Sequence, residues 1–349
     1  MDLTTDYLGL RLRSPLIASA GPLTGTVAGV RALARSGVGA VVLPSMFEEQ
    51  ILREAEQDAR LREAGTDSFA EGLTYLPADD IPPGPHGYLN VLRRAAAAVD
   101  IPVIASLNGA SPGGWTAYAA AMQQAGAAAV ELNIYPGLSE AEAGVGGREI
   151  ERRHVEILAA VKAAVSIPVA VKLIPHYSSP ADMAMRLDRA GADGLILFNR
   201  FVQTGIDPET LTVSAGLELS HPAESALPRA WIARLRDRVQ CSLAASTGVE
   251  DYADVAAYLL AGADGVMTTS ALLRHGPGYA GELLEGLVAW MRRKGFSDLS
   301  QLRGLLAGPA GGSPASGRAL YLGALHGGSR TFGLDGMVAR PGQTGRTVE

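Results

Sequence analysis

The sequence predicts an α/β protein that folds as a (β/α)8 TIM barrel with insertions after strands two and six. Eight short apolar runs recur over roughly 300 residues, and amphipathic stretches of helix length lie between them. The runs are continuously apolar rather than alternating, which indicates strands buried on both faces, as in a parallel sheet. Together these observations favour a closed barrel surrounded by helices.

Each predicted strand follows one of two recurring phrases. In the first, a helix end leads through a glycine turn into the strand, as in "RSGVGAVVLPS" and "RAGADGLILFN". In the second, a short turn that often contains Ile-Pro precedes the strand, as in "VDIPVIASLNG". The glycines are typical of helix C-terminal caps, and the prolines mark points where a helix cannot continue. The predicted strands are residues 15–20, 40–45, 102–107, 129–134, 168–173, 194–199, 242–246 and 265–270.

Two insertions and a tail interrupt this repeat. Residues 47–85 contain a charged helix followed by a Pro/Gly-rich loop, and residues 200–228 follow strand six. Both leave from carboxyl ends of strands, so we expect them to form a lid, although the charged helix also fits a solvated outer face. We expect the barrel domain to span residues 1–308, and residues 309–349 to form a linker and mobile tail with one short helix.

Composition excludes several classes of protein. The net charge of −6 argues against nucleic-acid binding. We expect no secretory signal, because "MDLTTDYLGL" has no basic segment, and no membrane span, because no apolar run reaches about 18 residues. The single cysteine, Cys241, fits a reducing cytoplasm. The six histidines form no H-E-x-x-H pair and no G-x-G-x-x-G follows a strand, so we expect neither a metal site nor a Rossmann NAD site.

Candidate site residues lie where strands meet their following loops, the catalytic face of this fold. Lys172 is the most informative, because it interrupts the apolar strand "VAVKL" and a buried ammonium needs a polar or anionic partner. It is either functional or part of a structural ion pair, with Glu131 as the candidate partner. Gly248 and Ser270, after the last two strands, suit a phosphate site, although Gly248 also fits a plain turn. His176 contacts a substrate or lies exposed.

The sequence motifs at these strand ends resemble those of the dihydroorotate dehydrogenase family, and most closely those of its divergent dihydroorotate dehydrogenase-like group. The resemblance covers about residues 2–306 and rests on "LGLRLRSPLIASAGP", "ELNI", "VAVKL", "LFNR", "ASTGV" and "GVMTTSALL". It implies an FMN-dependent oxidoreductase of pyrimidine biosynthesis that acts on a CH–CH bond. It also implies that FMN contacts Ala20, Gly21, Ser45, Asn108, Asn133, Lys172, Gly248 and Ser270, with Lys172 beside the flavin N1.

The chain departs from the family pattern around the substrate. Pro44-Ser45 replaces the family's Lys-Ser, Thr247-Gly248 replaces a glycine pair, and Arg200 replaces a small hydroxyl residue. The loop after Asn133 lacks the family's catalytic Cys or Ser, which leaves Tyr135 as its candidate proton donor. With these changes we still expect the protein to bind FMN, but the resemblance no longer implies that dihydroorotate is its substrate.

Three functions therefore remain open. The first is an FMN-dependent oxidoreductase for a small cyclic or unsaturated compound, anionic if Arg200 binds it, which Asn133, Asn199, Arg200 and His176 would contact. The second is a non-redox phosphate-binding barrel in which Lys172 is a base or Schiff-base amine. The third is a flavin-binding protein with little catalysis. The sequence leaves the electron acceptor open, and a homodimer is one expectation for its oligomeric state.

Overall fold

The computed structural model describes residues 1–51, 85–109, 115–134, 144–200, 203–216 and 218–308, together with 322, 323 and 325. Eight parallel strands close into a barrel, which confirms the predicted fold class. They are β3 (Leu16–Ala18), β4 (Ala40–Phe47), β5 (Val103–Gly109), β6 (Ala129–Ile134), β7 (Val169–Leu173), β8 (Gly194–Leu197), β11 (Ser242–Ala245) and β12 (Gly265–Thr268). Each lies within two residues of its predicted bounds.

Helices connect these strands on the outside of the barrel. They are α1 (Val27–Arg35), α2 (Pro85–Ala96), α3 (Trp115–Gln124), α4 (Gly147–Ala164), α5 (Pro180–Arg189), α6 (Ala226–Leu235), α7 (Tyr252–Ala261), α8 (Ser270–His275) and α9 (Tyr279–Lys294). The glycines of the first recurring phrase have positive φ after their helices, as a left-handed turn requires: Gly37, Gly126, Gly191 and Gly262. The prediction that they end helices is confirmed.

The barrel interior has an apolar floor. An N-terminal hairpin, β1 (Thr5–Tyr7) and β2 (Leu10–Leu12), supplies Tyr7, Leu8 and Leu12 to a buried cluster with inward residues such as Ile17 and Ile104. The Leu8 backbone N–H donates to Ser242 Oγ, at the start of β11, over 3.0 Å. The hairpin therefore closes the amino-terminal end of the barrel, which leaves the carboxyl ends of the strands as the mouth.

The second insertion contains an antiparallel hairpin, β9 (Gln203–Asp207) paired with β10 (Thr212–Gly216). Its Ile206, Leu211 and Val213 side chains are largely exposed. Most of the first insertion and of the tail lies outside the described residues, so the lid and the domain boundary at residue 308 stay predictions. In the described part of the chain, no helix combines the length and the apolar character that crossing a membrane requires.

Candidate functional site

Polar side chains replace apolar ones one step above the barrel floor. Side chains two residues apart on a strand point the same way, so each floor residue predicts the next inward position. Ser19 follows Ile17 in this way, Ser106 follows Ile104, Glu131 follows Ala129 and Lys172 follows Ala170. These four polar residues are all buried. A layer of hydroxyl, carboxylate and ammonium groups therefore lines the mouth, directly above the apolar floor.

Ser45 joins this layer because of a β-bulge. Against β5, Val42 aligns with Ile104 and Ser45 with Ser106, so β4 carries one extra residue. Pro44 lies in this extra step, and a proline cannot donate to the strand ladder. Simple alternation from Val42 would have turned Pro44 inward, whereas the bulge turns the Ser45 hydroxyl toward the barrel axis.

Asn133 links the two serines. Its Nδ2 donates to Ser45 Oγ at 3.0 Å and to Ser106 Oγ at 2.9 Å, and the two hydroxyls are themselves 2.8 Å apart. Asn133 is buried, and its Oδ1 has no hydrogen-bond partner among the described residues. A buried acceptor without a partner is costly, so this oxygen marks a place where a donor from a ligand would be stabilising.

Lys172 and Glu131 form a buried ion pair across neighbouring strands. Lys172 Nζ lies 3.3 Å from Glu131 Oε1 and donates to Ser19 Oγ at 3.4 Å. The Glu131 side chain is 1% exposed and that of Lys172 is 9% exposed. The ion pair that the sequence suggested as an alternative is therefore present. An ammonium has three N–H groups, and the contacts with described residues use two of them.

On the other side of the mouth, Ser220 joins the two predicted phosphate-binding residues. Its hydroxyl donates to Ser270 Oγ at 3.0 Å, its backbone N–H donates to the same atom at 2.9 Å, and the Gly248 N–H donates to Ser220 Oγ at 3.2 Å. Ser220 comes from the second insertion, and no motif in the sequence singles it out. The three residues form a compact hydrogen-bonded group, in which these bonds use both backbone N–H groups and the Ser220 hydroxyl and leave the Ser270 hydroxyl to donate elsewhere.

A close approach explains the glycine at position 21. A Cβ on Gly21 would lie 2.5 Å from Thr269 Cγ2. Thr269 Oγ1 in turn donates to the Ser19 carbonyl at 3.0 Å, which ties the end of β12 to the end of β3. Ala20, between these residues, packs on the apolar floor cluster.

We expect Gly248→Ala to destabilise the protein more than Gly295→Ala does. Both glycines have positive φ, which costs about 1–2 kcal/mol for other residues. A Cβ on Gly248 would also lie 2.7 Å from the Ser225 backbone N, whereas nothing lies within 4 Å of one on Gly295. Thermal unfolding of the two variants without ligand is the measurement. Equal losses of stability would show that the loop around Gly248 relaxes freely.

The other predicted site residues are Arg200, Asn108, Asn199, His176 and Tyr135. Arg200 forms a bidentate ion pair with Glu224, with Nε 3.0 Å from Oε2 and Nη2 3.2 Å from Oε1. This pair attaches the later part of the second insertion to the end of strand six. Asn108 lies beside Asn133 in register, Asn199 is half-buried and His176 is exposed. Tyr135 lies outside the described residues. The assignment of all these side chains to cofactor or substrate stays a prediction.

Comparison with known proteins places this chain in a family. The family model described as "Dihydroorotate dehydrogenase" matches residues 2–291. The catalytic subunit of dihydroorotate dehydrogenase B (NAD(+)) from Methanothermobacter thermautotrophicus is 27% identical, over 87% of this chain and 98% of its own length. The corresponding subunit from Methanocella arvoryzae is 30% identical, over 78% of this chain and 87% of its own length. The match extends over all eight barrel strands, and the chain belongs to the dihydroorotate dehydrogenase family.

Proposed function

We propose that this protein is an FMN-dependent oxidoreductase that acts on a CH–CH bond of a small cyclic or unsaturated compound. Members of its family are typically FMN-dependent oxidoreductases. The observation that supports the proposal most strongly is the buried Lys172–Glu131 pair beside Asn133, whose Oδ1 lacks a partner among the described residues. The Lys172 ammonium would stabilise the negative charge of a reduced flavin ring, and Asn133 Oδ1 would accept a hydrogen bond from that ring.

The described residues fit FMN on both sides of the mouth. Asn133 Oδ1 is available to accept a hydrogen bond from a ring N–H, and the remaining N–H of Lys172 is available to a ring acceptor. The Gly248 N–H and the Ser220 and Ser270 hydroxyls are groups of the kind that bind phosphate, and a bound phosphate would take over the hydrogen bonds that they now make with one another. When bound, FMN supplies an acceptor for hydride.

The protein's own groups then serve to bind and orient. Ser45 and Ser106 fix the Asn133 amide, so its carbonyl oxygen has one orientation. Ser19 and Glu131 fix the Lys172 ammonium. Because these partners are already in place, little reorganisation accompanies the appearance of negative charge near Lys172, and preorganised charge of this kind is a large contribution to catalysis.

The geometry favours this function over a Schiff-base or general-base barrel. A lysine that attacks a carbonyl or removes a proton does so as a neutral amine. Lys172 is instead an ion-pair partner of Glu131 at 3.3 Å. A flavin-binding protein with little catalysis has the same cofactor site, and anaerobic reduction of the bound cofactor by candidate substrates separates it from an enzyme.

The substrate of this protein need not be that of its relatives. The relatives are named for dihydroorotate and NAD(+). In this chain the loop after Asn133 has no Cys or Ser in the family position. We therefore assign a small-molecule substrate of the same general class and leave the electron acceptor open.

We expect the purified protein to bind one FMN per chain, and neither FAD nor NAD. The described residues offer one candidate phosphate site, around Gly248 and Ser270, and the sequence lacks a dinucleotide fingerprint. Mass spectrometry of the ligand released by heat identifies the cofactor, and titration with FMN, FAD and NAD compares their affinities. Protein that is colourless and stays colourless with added FMN would contradict the proposed function.

A further inference from the structure

Glu131 is a buried acid in the interior of the barrel, where an unpaired carboxylate would be strongly destabilising. It lies at the centre of β6, between Ser106 of β5 and Ala170 of β7 in register, and directly above the apolar floor. The other acid among the described buried residues, Asp264, lies at the amino-terminal end of the barrel and binds Arg236 and Arg303. Among the described buried residues, Glu131 is therefore the only acid at the mouth of the barrel.

The contacts of Glu131 lead to the candidate flavin site. Its Oε1 accepts from Lys172 Nζ at 3.3 Å and from Asn133 Nδ2 at 3.4 Å. Its Oε2 is buried with no partner among the described residues. Below it, the Tyr7 phenol is fully buried, and burial, with a smaller contribution from Glu131, raises the pKa of Tyr7 well above its ordinary value. The Tyr7 phenol is therefore uncharged, and Lys172 is the charged group that pairs with Glu131.

A buried ion pair of this kind is weak evidence for stability. Removing two charges from water costs about as much as their attraction returns, and apolar replacements are often neutral or stabilising. An apolar pair on β6 and β7 would have continued the floor upward. The chain instead places the Lys172 cation and the Glu131 anion together at the mouth. Because this pair adds little stability, we expect the net charge that the two groups present to a ligand to matter for function.

We propose that Glu131 is a positioning residue that holds the Lys172 ammonium in place, partly offsets its charge and thereby sets the reduction potential of the bound flavin. The inference rests on the proposed function, because it requires FMN beside Lys172. A lone cation favours the more negatively charged, reduced form of a cofactor. An anion 3.3 Å from that cation weakens the effect and keeps the cofactor a stronger reductant.

The test is a redox titration of FMN-loaded protein under argon against a dye of known potential. Glu131→Gln has nearly the same shape and retains an oxygen that can accept from Lys172, but it has no charge. We expect the ratio of reduced to oxidised flavin at a fixed potential to rise at least tenfold, which is about 30 mV for a two-electron couple. Glu131→Asp retains the charge and is expected to remain within about threefold of wild type.

Glu285→Gln is the matched control. Glu285 lies on the exposed outer side of α9, so losing its charge should leave the potential unchanged. An unchanged or lower potential in Glu131→Gln would overturn the inference, and so would a complete loss of FMN binding, because a change in charge balance alone predicts that binding survives. Wild-type protein that does not bind FMN contradicts the proposed function, whereas wild-type binding with no shift in Glu131→Gln contradicts only the role of Glu131.

Discussion

Replacement of Lys172 by alanine is expected to weaken FMN binding, or to slow reduction of bound FMN, by about 10²–10³. Lys172 is the one cation among the described buried residues, and its partners Glu131 and Ser19 hold it at the mouth. Losing a preorganised charge in a water-poor site removes about 3–4 kcal/mol of stabilisation. The FMN dissociation constant and the rate of anaerobic bleaching by a reductant that wild type accepts are the measurements.

The single variant also leaves Glu131 as a buried anion without its partner. That change alone is expected to destabilise the fold by about 3–5 kcal/mol. The double variant Lys172→Met with Glu131→Gln removes both charges and keeps the volume, so it should recover stability while FMN binding or reduction stays impaired. Ser106→Ala, which removes a neutral hydroxyl from the same layer, should have a smaller effect. A Lys172→Ala protein that binds FMN and is reduced like wild type would show that Lys172 is only structural.

The sequence predicts the barrel well because its signals are local. Each strand is a short apolar run, and the glycines that end four helices, such as Gly37 and Gly262, adopt the positive φ that their turns require. The Lys172–Glu131 contact was one of the two alternatives that the sequence offered, because a buried lysine needs a partner and Glu131 lies on the neighbouring strand. Two-residue alternation from Asn108 would likewise have indicated Ser106 as an inward residue.

Other features of the site depend on long-range geometry. Alternation predicts Pro44 inward, and the one-residue bulge in β4 places Ser45 there instead. Ser220 reaches Ser270 from 50 positions earlier in the chain, inside an insertion whose path has no periodic signal. Arg200 forms an ion pair with Glu224, which the second insertion brings back to strand six, and its contact with a substrate anion stays a prediction. None of these contacts follows from local residue preference.

Dihydroorotate is expected to reduce the bound flavin at least 10² times more slowly than it does in dihydroorotate dehydrogenases that have the loop Cys or Ser. Its oxidation requires removal of a carbon-bound proton as hydride leaves, and a positioned general base contributes about 10² to 10⁴ in rate. After Asn133 this chain reads Ile134-Tyr135-Pro136, without a Cys or Ser. A tyrosine phenol ionises near pH 10, so it would need a pKa lowered by about three units to act as a base at neutral pH.

Stopped-flow mixing of FMN-loaded protein with dihydroorotate under argon measures this step directly, with a family member that has the loop Cys or Ser as the reference. Because a phenol is protonated at neutral pH, Tyr135 is better suited to donate a proton to an unsaturated substrate that is being reduced. We therefore expect the pre-reduced protein to be reoxidised faster by an unsaturated acceptor than the oxidised protein is reduced by dihydroorotate, and Tyr135→Phe to slow that reoxidation. Bleaching by dihydroorotate as fast as in the reference enzyme would show that another residue supplies the base.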